Sequence, residues 1–130
     1  MKLRILHNAI RFRLGRTEVD LLRRGIECRE MIHFPGAQRL EYVIKPSPGT
    51  AISASLSDQV ISVEVPGRDL EEWGASNQVG LSAEISVPGE TPLQVLIEKD
   101  FRCLDSRDSE DQADSFDNPL EAHPSCDGPL

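Results

Sequence analysis

Period-two alternation of apolar and polar residues runs through most of the first hundred positions and predicts a chain built mainly of strands. In KLRIL (2–6), Leu3 and Ile5 alternate with Lys2 and Arg4; in IRFRL (10–14), Ile10, Phe12 and Leu14 take one side and Arg11 and Arg13 the other. His7-Asn8-Ala9 between them reads as a hairpin turn, with Asn8 its natural turn residue. Gly15 ends the strand, and a short helix is expected next. Thr17 is its N-cap, Glu18 and Asp20 sit in its first turn, Arg23 and Arg24 in its last, and Gly25 stands at its C-terminal stop. Val19 and Leu22 form its buried stripe.

Strands are then predicted over 26–34 and 39–45, joined by PGAQ, with PSPG (46–49) as a firm break. AISASLS (51–57) turns at Asp58-Gln59 into VISVEV (60–65); Pro66-Gly67 opens a second short helix in which Leu70 and Trp73 face inward. QVGLSAEISV (78–87) and LQVLIEKDF (93–101) are the last strands, joined through PGETP. The series hairpin, short helix, hairpin thus occupies 1–45 and returns at 51–101, which suggests a duplicated β-β-α-β-β unit; an ordinary meander with two unrelated helices is the alternative. The expected fold is α+β and mostly antiparallel: about eight strands in one barrel- or sandwich-like sheet, with two short helices plugging its ends. Residues 1–103 form this domain. Residues 104–130, rich in Asp, Ser and Pro and without any sustained period, read as an acidic, poorly structured tail.

Charge sharpens the division. Residues 1–50 carry ten Lys/Arg against five Asp/Glu, whereas 51–130 carry four against seventeen, so a net of -8 conceals a basic first part and a strongly acidic remainder. Six aromatic residues in all argue against a stacking platform for single-stranded nucleic acid. Arginines interrupt the opening segment too often for a signal peptide, and no apolar run approaches the roughly 20 residues that span a bilayer, so a cytoplasmic protein without membrane insertion is expected. Three cysteines give no disulfide framework and fit a reducing compartment.

The chain resembles a group of small uncharacterised bacterial proteins with a domain of unknown function. The likeness rests on the opening Met-Lys-Leu-Arg-Ile with Asn8 and Ile-Arg-x-Arg-Leu (1–14), on Val79-Gly80-Leu81, on Glu-Lys-Asp-Phe-x-Cys-Leu (98–104) and on Asn118-Pro119 in an acidic tail. It covers nearly the whole chain and implies no activity.

Candidate chemistry falls in three places. Arg4, Arg11 and Arg13 share one face of the first hairpin, and arginine forks suit phosphates and carboxylates. That face either meets solvent, docks the chain's own acidic tail with an anchor such as Phe116, or grips a foreign anion. Cys103, His123 and Cys126 could hold zinc, with Asp105, Asp114 or Asp117 as a fourth ligand, although no paired Cys-x-x-Cys occurs; no other cofactor is expected. Cys28 alternates into the core beside Ile26. His7 and His33 have carboxylates nearby in sequence but no defined partner. No nucleophile elbow, phosphate-binding loop, His-Glu-x-x-His or dinucleotide fingerprint is present. The Gly-Arg pairs before both helices could receive phosphate, but the acids that follow favour ordinary strand-to-helix turns. A triphosphate-hydrolysing tunnel lined by Arg4, Arg11, Arg13, Glu27, Arg29, Glu64, Glu84 and Glu98 is a further alternative, against which stands the absence of its Glu-x-Glu-x-Lys strand.

No constellation of acid, base and nucleophile can be assembled, so the reading leans away from an enzyme. It favours a non-catalytic binding or accessory module acting through protein contacts. The alternatives are a binding protein or enzyme for an anionic metabolite, clamped by Arg4, Arg11 and Arg13, and a small metal-binding protein.

Overall fold

The computed structural model describes residues 1–101. Its strands are β1 (Lys2–Leu6), β2 (Ala9–Leu14), β3 (Cys28–Phe34), β4 (Gln38–Ser47), β5 (Ser53–Ser57), β6 (Val60–Pro66), β7 (Gly80–Ile85) and β8 (Leu93–Lys99). Two helices, α1 (Arg16–Arg23) and α2 (Gly67–Ala75), follow β2 and β6. The eight strands and two helices expected from periodicity are all present. The boundary at 103–104 and the tail lie outside the described residues.

The strands form two four-stranded sheets, ordered β1-β2-β8-β7 and β3-β4-β6-β5. Four neighbour pairs are antiparallel, but the central pairs, β2 with β8 and β4 with β6, run parallel. The mostly antiparallel arrangement is as expected; the strands divide between two sheets rather than one, and the two sheets do not close into a barrel. The reason lies in the helices. Each carries the chain from one sheet to the other, so the two halves meet through their inner strands, which point the same way. Both helices cover the end where β2 and β6 finish, rather than plugging opposite ends.

Apolar residues at alternate positions turn inward from both sheets. Phe12, Leu14, Val63, Val65, Val95 and Ile97 form one core with Val19, Leu22, Leu70 and Trp73 of the helices. The Phe12 and Tyr42 rings meet across the sheets with centroids 6.3 Å apart. Each fully buried Leu, Ile, Val or Phe contributes roughly 1.5–3 kcal/mol, which is what holds two such short helices in place. Trp73 satisfies its indole N–H by donating to the Val79 carbonyl at 3.1 Å.

Local departures from the sequence reading have local causes. The first helix starts at Arg16, with Gly15 as N-cap in place of Thr17, because the Glu18 carboxylate accepts the Gly15 N–H at 2.9 Å. Its far end closes as expected: Gly25, at φ 86°, donates to Leu22 while Ile26 donates to Leu21, the Schellman arrangement. His7, not Asn8, takes the left-handed position in the first turn (φ 54°). Asn8 instead donates its side-chain N–H groups to the Thr91 and Pro92 carbonyls at 2.8 and 3.1 Å. Strand β4 runs through Pro46, where a break was expected; β3 has already ended opposite Ile44, leaving a free side for a residue without an N–H.

The two halves match in register as well as in order. Leu3 and Ile5 stand opposite Phe12 and Ile10, as Ala54 and Leu56 stand opposite Val63 and Ile61. Phe12 lies beside Ile97 in one parallel pair, and Val63 beside Ile44 in the other. The Gln94 N–H donates to the Asn8 carbonyl at 3.0 Å, and the Glu41 N–H to the Gln59 carbonyl at 2.9 Å.

Two glycines separate rigid from yielding contacts. A Cβ on Gly80 would lie 2.8 Å from the Ile97 carbonyl oxygen, which belongs to the sheet backbone; one on Gly74 would meet the flexible Arg23 side chain, at 2.3 Å from its Cδ. We expect Gly80→Ala to cost about 1–3 kcal/mol in denaturant unfolding. Gly74→Ala should be near neutral, since the helix gain of about 1 kcal/mol offsets the loss of the exposed Arg23–Glu71 pair. Equal effects would contradict the distinction.

Candidate functional site

The core residues of β2 fix where the first hairpin's charges go. With Ile10, Phe12 and Leu14 buried, Arg11 and Arg13 must occupy the opposite, outer face, joined by Lys2 and Arg4 of β1. The register then sets Lys2 directly opposite Arg13 and Arg4 directly opposite Arg11. Two cation–cation pairs side by side on one hairpin are unfavourable, because like charges facing each other across a ladder repel.

Two carboxylates of the described residues reach this face. Glu98 of β8 is shared: its Oε1 lies 3.7 Å from Arg11 Nε and 3.8 Å from Arg13 Nε. Asp100 lies 3.2 Å from the Lys2 amine and anchors its own N–H to the Leu14 carbonyl at 2.9 Å. Glu98 and Asp100 are thus set among the cations of this face, and the residue of β8 beside Arg11 is Leu96. The structure brings Arg4, Arg11 and Arg13 together on the face the pattern predicts; Lys2, legible from the same alternation, completes the row.

The matching hairpin of the other sheet provides a comparison. At the corresponding outer positions of β5 and β6 stand Ser53, Ser55 and Ser62, with Glu64 in the place of Arg13. The fold therefore accepts small neutral residues there. Nothing in the backbone geometry calls for a row of cations.

Elsewhere the charges are structural. Glu41, 4% exposed on the outer face of the second sheet, is held by Arg29 and lies 3.7 Å from Arg39 Nε. Glu18 joins the helix start to the N-terminal amine of Met1 at 2.5 Å, with Glu30 at 3.7 Å from the same amine. This occupies the N-terminus of α1 with the chain's own carboxylate. Arg23 donates two hydrogen bonds to Glu71 and holds its carboxyl below the usual range. His7 lies in a turn and His33 stands opposite Arg39. A tunnel lined by charge is overturned, because the space between the sheets is filled by Phe12, Tyr42, Val63, Ile97 and their neighbours.

An open depression of about 600 Å³ lies at the turn end of the second sheet, walled by Phe34, Pro35, Leu40 and Leu56, with Gln38, Arg39 and Gln59 beside them. Its lining is mainly apolar and brings no acid, base and nucleophile together. Among the described residues no group of three or more His, Cys, Asp and Glu is placed to hold a metal ion. Cys103, His123 and Cys126 lie outside the described residues. No helix among them is long and apolar enough to cross a membrane.

Fold and site define a two-sheet, helix-capped domain with one cationic outer face. The chain belongs to a family of unknown function, DUF7009, whose model matches residues 1–120. No curated protein and no solved structure matches it.

Burial raises the Cys28 thiol above its usual value, with Glu18 and Glu30 adding to the effect and the N-terminal amine opposing it. Burial and the same two carboxylates raise the Tyr42 hydroxyl. For groups whose folded values are raised, the contribution to stability is complete below the unfolded value and is lost as pH climbs through the folded one. We expect chemical stability to fall above about pH 9, beyond the ordinary thiol range, and Cys28 to resist alkylation at pH 8 in peptide-resolved mass spectrometry until the chain unfolds. Rapid labelling of native Cys28 would contradict this placement.

Proposed function

We propose that the chain is a non-catalytic binding module that holds an acidic protein partner on the outer face of β1 and β2, through Lys2, Arg4, Arg11 and Arg13. The observation that carries this reading is the pair of like-charge oppositions, Lys2 with Arg13 and Arg4 with Arg11, on a hairpin whose structural counterpart bears three serines and Glu64. A row of cations that the counterpart hairpin does without is best accounted for by an anionic ligand. A flat sheet face suits a carboxylate-bearing polypeptide, which can span several cations at once, better than a small metabolite, which needs a concave site. The comparison of hairpins rests on reading 1–45 and 51–101 as two copies of one unit, and the matching registers support that reading.

The chain's own acidic segment is a second candidate for the same face. Asp100 beside Lys2, together with eight acids against two arginines in residues 102–130, favours it.

We expect a fluorescent polyglutamate to bind the full chain at low salt and to weaken as salt rises. Lys2→Ser/Arg4→Ser/Arg11→Ser should lose at least about tenfold in affinity while keeping the far-ultraviolet circular dichroism of the parent. Equal binding by parent and variant would overturn the proposal. For the second candidate, limited proteolysis within 105–130 should be slower at low salt than at high salt; equal rates would remove it.

A further inference from the structure

We infer that the hollow at the turn end of the second sheet binds an uncharged, mainly apolar small molecule bearing a carbonyl or hydroxyl group. This site is independent of the cationic face.

Phe34, Leu40 and Leu56 alternate in step with Cys28, Ile44 and Ala54, so they belong to the inward side of their strands. The buried core ends before it reaches them: Phe34 is 51% and Leu56 71% exposed. With Pro35 they wall a space of about 600 Å³. Small ligands occupy hollows of roughly 300–1,000 Å³. Arg39 is the one ionisable residue of the lining, and alternation turns it to the other face, where its Nε lies 3.7 Å from Glu41. A charged ligand would therefore lose hydration here without gaining a partner. Two amides supply the polar contacts. Gln59 Nε2 donates to Gln38 Oε1 at 2.5 Å, which ties the turn between β5 and β6 to the start of β4. The Gln38 N–H groups and the Gln59 carbonyl then serve a ligand's carbonyl or hydroxyl.

The matching end of the first sheet shows what the fold itself needs at this place. Ile97 corresponds to Ile44, and the registers then align Val87-Pro88-Gly89-Glu90-Thr91 with Phe34-Pro35-Gly36-Ala37-Gln38. Gly89 and Gly36 are both left-handed, at φ 77° and 81°. An exposed aliphatic side chain occurs at both ends, Ile5 at 61% in the place of Leu56, so that feature does not distinguish them. The walls do. A half-buried Val87 stands where the second sheet has the exposed Phe34. Asn8, in the place of Gln59, donates to the backbone carbonyls of Thr91 and Pro92 rather than to a side chain. The second sheet has instead an aromatic ring and two amides bonded to each other. Three partly exposed apolar side chains offer far less than the about 800 Å² per partner that a stable dimer buries, which favours a small occupant over a second copy.

The test titrates the full chain with phenylnaphthylamine, a neutral probe that brightens in apolar surroundings, and displaces it with decanol or decanoate. We expect saturable one-to-one binding, with decanol displacing the probe at a concentration at least about tenfold below decanoate. Leu56→Glu and Phe34→Ser replace exposed side chains and should keep the parent's far-ultraviolet circular dichroism while each weakens probe binding at least about tenfold. Ile5→Ser, at the matching end of the first sheet, should bind as the parent does. Absence of saturable binding, a preference for decanoate, or an equal loss in Ile5→Ser overturns the proposal. So does a parent chain that sediments as a dimer beside a monomeric Leu56→Glu, since a second copy then fills the hollow.

Discussion

The parallel pairing of β2 with β8 and of β4 with β6 is the constraint on which the rest of the structure depends. Each pair joins a strand from the first half of the chain to one from the second, so neither half can complete a sheet alone. The inner residues of those four strands, Phe12, Leu14, Ile44, Val63, Val65, Val95 and Ile97, are each at most 1% exposed. Apolar burial of this kind is non-directional, but the two-residue period of a strand makes it select a face. Once Phe12 and Leu14 are committed to the interior, Arg11 and Arg13 have nowhere to go but out.

That coupling explains why the two outer faces can differ so widely without altering the fold. Sheet registers, turn positions and helix placements agree between the halves, while the outer residues of the first hairpins diverge from cations to serines. Interior positions answer to packing, and the outer ones are free to answer to something else. The cluster of four cations around two carboxylates is the largest such departure among the described residues. It stands on a hairpin at the edge of its sheet among the described residues, beside the exposed Ile5.

Much of this was legible in the sequence because the signals were local. Alternation in IRFRL and VISVEV, the glycines beside α1 and the Leu70–Trp73 spacing located the elements, and the alternation alone placed the arginines on one face. What was not legible was non-local. No local pattern reveals that β2 pairs in parallel with a strand more than eighty residues away, and so two sheets were read as one. Turn residues were assigned by type, which gave Asn8 a role that His7 fills while Asn8 reaches to Thr91 and Pro92. A proline was read as a break, although an unpaired flank lets β4 carry it. The like-charge oppositions needed the register, which no count of arginines provides.

The central claim is that the fold does not require the cationic face. Equilibrium unfolding of Arg4→Ser/Arg11→Ser beside the parent chain, at low and at high salt, tests it most directly. The account predicts a variant as stable as the parent or more so at low salt, with the difference shrinking as salt screens the repulsion. A variant clearly less stable than the parent at low salt would show that these arginines hold the fold together, and would contradict the account.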